Sequence, residues 1–210
     1  EADFGRVVDL LGRKVALKSI SAEGITAEHM KRSAEFVADE LRQVGIGAKV
    51  VQSRNPDGTP GAWEVIGSKI VDPQAPTVLL YAHHDVQPPG NEEDWESAPF
   101  EPTVRGDRLY GRGAADDKAG IMAHVAAIRS FVEVVGDDFD LGLVVFFEGE
   151  EEFGSRSFAN FITENRDTLE ADVIVVADSD NWDVNTPALT VGLRGNVTFK
   201  LTVSTLAHAS

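Results

Sequence analysis

Three short, uninterrupted apolar runs constrain the fold more than any other feature of this sequence: TVLLY at residues 77–81, LVVFF at 143–147 and VIVV at 173–176. A strand with water on one face alternates polar and apolar residues, whereas a strand covered on both faces reads as a continuous apolar run. Between these runs lie segments with a helical rhythm. Residues 118–135 place Ile121, Val125, Ile128 and Val132 on one face, and residues 153–165 read as a further helix. Upstream, residues 4–17 and 26–44 read as helices. In the second, Met30, Ala34, Val37, Leu41 and Val44 recur at steps of three and four before a stop at Gly45. Residues 48–52 and 63–70 read as strands, the latter ahead of the turn-prone Asp72-Pro73. Buried strands alternating with helices predict an α/β fold with a mostly parallel central sheet flanked by helices.

The pattern changes after Asp183. Residues 196–204 (NVTFKLTVS) alternate polar and apolar side chains, as a half-exposed antiparallel strand does. The expected organisation is therefore one main domain over residues 1–190, with residues 191–210 as the first strand of a second domain.

Composition narrows the chemistry. The chain has no cysteine, so any metal must rest on His, Asp and Glu, and a cytoplasmic location is expected. A formal net charge of -16 argues against nucleic acid or an anionic membrane as the main partner. No stretch approaches the ~20 apolar residues of a membrane span. Residues 1–20 show no basic leader or long apolar core, so secretion is not indicated.

The three apolar runs end in polar clusters: His83-His84-Asp85, Glu148-Gly149-Glu150-Glu151-Glu152 and Asp178-Ser179-Asp180. In open α/β sheets, ligands bind beyond the carboxyl ends of the strands. His83 and Asp85 stand at i and i+2, so an extended segment points both the same way. The imidazole can then bind a metal while the carboxylate holds its other nitrogen. A turn in which both merely cap backbone groups fits the same residues. Asp116-Asp117 opens the helix at residue 118, where aspartate ordinarily caps amides. The glycines before it do not match a phosphate loop, and two aspartates would repel a phosphate. Glu150, Glu151 and Glu152 read as a solvated acidic turn, or as a ligand beside a general base. His84 is read as lining or structural, and His29 and His124 as structural. The joint placement of these groups favours a hydrolytic metal site for Zn²⁺, Mn²⁺ or Co²⁺, and the donor count favours two ions.

At these residues a resemblance becomes specific. Residues 81–88 (YAHHDVQP), 109–118 (LYGRGAADDK), 148–155 (EGEEEFGS) and 178–182 (DSDNW) resemble the dizinc exopeptidases. That family includes carnosine-type dipeptidases, glutamate carboxypeptidases, aminoacylases and succinyl-diaminopimelate desuccinylases, and the wording here is nearest the dipeptidases. The resemblance implies two Zn²⁺ ions, with His83 and Asp178 on one, Asp116 bridging and Glu152 on the other. It implies that Asp85 orients His83, that Glu151 acts as general base and then acid, and that the Asp116–Asp117 peptide is cis. It further implies a small peptide substrate and a homodimer formed through an inserted lid domain.

In that family the second zinc also takes a histidine from near the end of the catalytic domain, beyond the lid. His208 lies in a segment similar to the lead-in to a lid motif, and no role is assigned to it. Residues 1–210 are thus expected to hold one metal well and the other poorly, with little activity. Two other functions fit the same residues: an amidohydrolase acting on N-acyl or N-succinyl amino acids, and a non-catalytic α/β module holding Ca²⁺ or Mg²⁺.

Overall fold

Strand β6 (Gly142–Glu148) is buried at every residue and forms the middle of a five-stranded sheet. The structure, a computed structural model, describes residues 2–136 and 139–205. It divides into two units, Glu1–Asp178 and Ser179–Ser210. The sheet belongs to the first, in the order β1 (Gly47–Arg54), β2 (Pro60–Lys69), β6, β3 (Thr77–His83), β7 (Val173–Val176). Pairing is parallel for β6–β3 and β3–β7, and antiparallel for β1–β2 and β2–β6. The sheet is therefore mixed, and its parallel part coincides with the three apolar runs. A hairpin of β4 (Thr103–Arg105) and β5 (Arg108–Tyr110) stands apart from it. Gly106-Asp107 between these strands is a recognisable hairpin turn, and the hairpin was not foreseen.

Alternating side chains of β6 fill two cores, because successive residues of a strand point to opposite faces. Leu143, Val145 and Phe147 join Leu10 of α1 (Ala2–Val15), Ala34, Val37 and Leu41 of α2 (Glu28–Gln43), and Ile121, Val125 and Ile128 of α3 (Lys118–Val135). Val144 and Phe146 join Phe161 of α4 (Phe158–Glu164) and Leu169 of α5 (Arg166–Leu169). The result is three layers, helix on sheet on helix. Among the described residues no helix is long and apolar enough to cross a membrane.

Three local expectations change. The helix expected over 153–165 begins only at Phe158: Gly154 adopts a left-handed conformation and Ser155 also has positive φ (48°), which interrupts helical backbone. The VIVV run forms a strand, but it lies on the sheet edge with all four residues exposed, so it is not the buried strand expected. Residues 189–205 form no helix or strand, so the strand expected over 196–204 is absent; a regular strand needs a ladder partner, and apolar alternation supplies none. His208 lies outside the described residues.

Candidate metal centre

Parallel pairing in register brings the strand ends level. His83 of β3 stands opposite Glu148 of β6, and Tyr81 opposite Val176 of β7. The Ala177 amide donates to the Tyr81 carbonyl (3.0 Å), which carries Asp178 level with His83. The start of α3 comes in alongside. Asp117 is its N-cap: Oδ1 accepts from the Gly120 amide (3.2 Å) and Oδ2 from the His83 amide (3.1 Å). Helix start and strand end are thus fastened through one carboxylate, whose pKa burial pushes up to about 7 against the opposing pull of His83. The Asp116–Asp117 peptide is cis, in line with the resemblance.

His83 is fully buried, and its ring faces carboxylates on both sides. Nδ1 lies 3.2 Å from Asp85 Oδ1. Nε2 lies 3.0 Å from Asp116 Oδ1 and 3.9 Å from both Glu151 Oε2 and Asp178 Oδ2. Burial disfavours the imidazolium, but the Asp85 hydrogen bond and the charges of Asp85, Asp117 and Asp178 outweigh it and raise the pKa to about 10. The field that holds a proton there is equally suited to a metal cation. His83, Asp116 and Asp178 each offer a ligand atom, all within 4.8 Å of one another, a nitrogen and oxygen donor set that fits zinc, manganese or cobalt.

Asp85, also fully buried, does more than face His83. Its Oδ1 accepts from the Glu151 amide and its Oδ2 from the Glu152 amide, both at 3.1 Å. One carboxylate therefore contacts the imidazole and caps the short helix Glu151–Phe153. Burial raises the pKa of Glu151 from its ordinary value, with Asp178 and Glu152 adding to the effect and His83 opposing it. Glu152 lies outside the three-donor group; its Oε2 accepts from Gln87 Nε2 (2.8 Å), as does its carbonyl (2.9 Å).

The structure thus gathers His83, Asp85, Asp116, Glu151 and Asp178 and sets Glu152 beside them. The remaining described histidines have other partners. His84 Nε2 donates to the Trp63 carbonyl (2.7 Å), and burial lowers its pKa to about 4. His124, stacked on Phe147, bonds the Tyr81 carbonyl (3.0 Å), and His29 lies 3.4 Å from the Ile20 carbonyl. Sequence reading missed Gln87, although it falls inside the YAHHDVQP motif. It also missed Glu64, a single acid in the otherwise apolar middle of β2, which is a signal in itself.

Comparison with known proteins gives the family and the fold. Residues 79–208 match the family described as Peptidase family M20/M25/M40. The chain is 34% identical over 203 residues to the Cys-Gly metallodipeptidase dug1 of Schizosaccharomyces pombe, covering 93% of this chain and 42% of that protein. It is 38% identical over 181 residues to the cysteinylglycine-S-conjugate dipeptidase of Corynebacterium striatum, covering 86% and 38%. Among solved structures, human carnosine dipeptidase 1 superposes with a TM-score of 0.76 at 26% identity, covering 86% of this chain and 40% of that one. The chain therefore spans about two fifths of the length of these relatives. With the family match over residues 79–208 and a relative 34% identical over 93% of the chain, this chain belongs to peptidase family M20/M25/M40.

Proposed function

We propose that the protein containing this chain hydrolyses the peptide bond of dipeptides or short peptides at a two-metal centre. The observation that carries the proposal is the buried His83 imidazole, with Asp85 on one nitrogen and Asp116, Asp178 and Glu151 around the other. His83 and Asp178 would hold one ion, Asp116 would be shared with the second, and Glu152 would serve that second ion. Zinc bound there would lower the pKa of a water and polarise the scissile carbonyl.

The chain's own residues supply the rest. Asp85 holds the His83 ring in orientation, as metal-bound histidines require. Glu151 takes a proton from the attacking water and returns it to the leaving amine. Burial shifts its pKa upward, the direction that favours a carboxylate accepting a proton. The dipeptidase names of the relatives support dipeptides over N-acyl amino acids. Absence of cysteine fits a cytoplasmic location, and dimerisation through a lid domain belongs to the same reading.

The test is to assay the full-length protein on a dipeptide panel against N-acyl and N-succinyl amino acids, alongside Glu151→Gln. Dipeptide turnover that Glu151→Gln abolishes, with zinc content unchanged, is the expected result. A variant that still turns over normally overturns the base assignment, and preferential cleavage of the acylated amino acids overturns the substrate class.

A further inference from the structure

The turn after β6 carries both Glu151 and Glu152, and two adjacent residues of β2 bond the base of this turn and the segment after β3. The β2–β6 ladder ends at Val65–Phe147, which leaves the Gly149 amide beyond the last ladder pair. That amide donates to the Glu64 carboxylate, Oε2, at 2.9 Å. The neighbouring Trp63 carbonyl accepts from His84 Nε2, the residue between His83 and Asp85. The fit beneath the turn is tight. A Cβ at Gly149 would lie 2.5 Å from the Trp63 carbonyl oxygen and 2.9 Å from His84 Nε2, so only glycine lets the turn settle on β2. The His84 amide in turn donates to the Glu148 carbonyl (2.8 Å), joining the ends of β3 and β6 directly.

Glu64 is buried beside two further buried acids, Glu148 and Glu150. Burial first, then the charge of Glu148, raises its pKa well above the carboxylate range. An acid is a poor choice for packing at such a position. Its reach to the Gly149 amide gives a specific reason for it. The far side of the same turn is held by a chain of bonds that leads back to Glu64: Glu150 accepts from the Ser157 amide and hydroxyl, Ser157 meets Ser53 of β1 at 2.7 Å, and the Ser53 side chain hydrogen-bonds Glu64.

We propose that Glu64 is a positioning residue: by holding the Gly149 amide it sets the turn that presents Glu151 and Glu152 to the metal centre. The inference rests on the roles given to those two glutamates under Proposed function.

The experiment uses the full-length protein with three substitutions. Glu64→Gln keeps an acceptor oxygen at the same reach, Glu64→Asp keeps the acid but withdraws it, and Glu64→Leu removes the acceptor. Glu64→Asp and Glu64→Leu are expected to lower kcat on a dipeptide about 10–100-fold, the range for groups that support metal ligands, with KM unchanged. Glu64→Gln is expected to restore most of kcat. Zinc affinity, measured by titration of the metal-free protein, should fall in the same order. Normal kcat and zinc affinity in Glu64→Asp overturn the proposal, as does equal loss of activity and melting temperature in all three. If Glu64→Leu fails to fold, the Asp and Gln pair decides. A wild type inert on every dipeptide is a failure of the proposed function instead. The zinc titrations then decide, and unchanged affinity in Glu64→Asp overturns the positioning role.

Discussion

Asp85 shows how much chemistry a single buried side chain can organise. It faces the His83 ring and caps the two amides that open the Glu151–Phe153 turn, so the histidine and the glutamates share one support. Asp85→Asn keeps the size but leaves one oxygen to accept where two amides now donate. Zinc affinity and kcat/KM of the full-length enzyme are expected to fall about 10–100-fold; an unchanged zinc titration would sink this double role. Lys14 offers a different test. It is fully buried, its Nζ has no hydrogen-bond partner among the described residues, and it lies 5.7 Å from the Phe36 ring. Burial, then the charge of Lys118, lowers its pKa to about 7. Between that value and the usual 10.5 the unfolded chain binds more protons than the folded one, so this group makes stability rise with pH. Lys14→Met should therefore melt higher than the wild type near pH 7, and the gap should narrow as pH rises toward 10.5. Each kcal/mol gained raises Tm by roughly 2–4 °C. Thermal melts of both proteins from pH 7 to 10 check the sign. The His-x-Asp spacing allowed the first of Asp85's roles beside a simple capping turn, and the family resemblance implied it. Its cap on Glu151 and Glu152 was not legible, because those partners lie 66 and 67 residues away and meet Asp85 only when β3 and β6 pair.

At the scale of elements, the approach of α3 to the sheet decides whether Asp116 reaches its partners. Gly120 makes that approach possible, since a Cβ there would collide with the Ala177 carbonyl and the Asp117 carboxylate. Gly120→Ala is expected to cost about 1–3 kcal/mol through overpacking and to weaken zinc binding by moving the helix start. Urea denaturation and zinc titration of the variant test it, and wild-type values in both would refute the close-approach account. The helix itself was legible to the residue: the apolar stripe of Ile121, Val125 and Ile128 runs over Lys118–Val135 as observed. Where prediction slipped, local backbone was responsible. Periodicity carried the helix back to residue 153, but the positive φ values at Gly154 and Ser155 fix its start at Phe158. The VIVV run was legible as a strand but not as an edge, because burial depends on what lies alongside and composition does not report that.

For the molecule as a whole, two properties follow. Among the described residues a single group of three donors, His83, Asp116 and Asp178, comes within ligating reach, so purified residues 1–210 should hold one zinc ion tightly. Elemental analysis after gel filtration measures this, and two retained ions would contradict it. The second property comes from β7, which presents Ile174 at 63% and Val176 at 53% exposure on the sheet edge. An exposed apolar edge is a template for pairing with another chain. Residues 1–210 should self-associate with concentration in analytical ultracentrifugation, and Ile174→Lys should suppress it; a wild-type chain monomeric at all concentrations would refute this. The grip of Trp63 and Glu64 on the two site-bearing loops has a last consequence. Side chains alternate along β2, so a slip of one residue against β6 would turn Glu64 to the opposite face and release the turn after β6. A competent metal centre thus certifies that the sheet has paired in register, and zinc affinity doubles as a measure of folding fidelity.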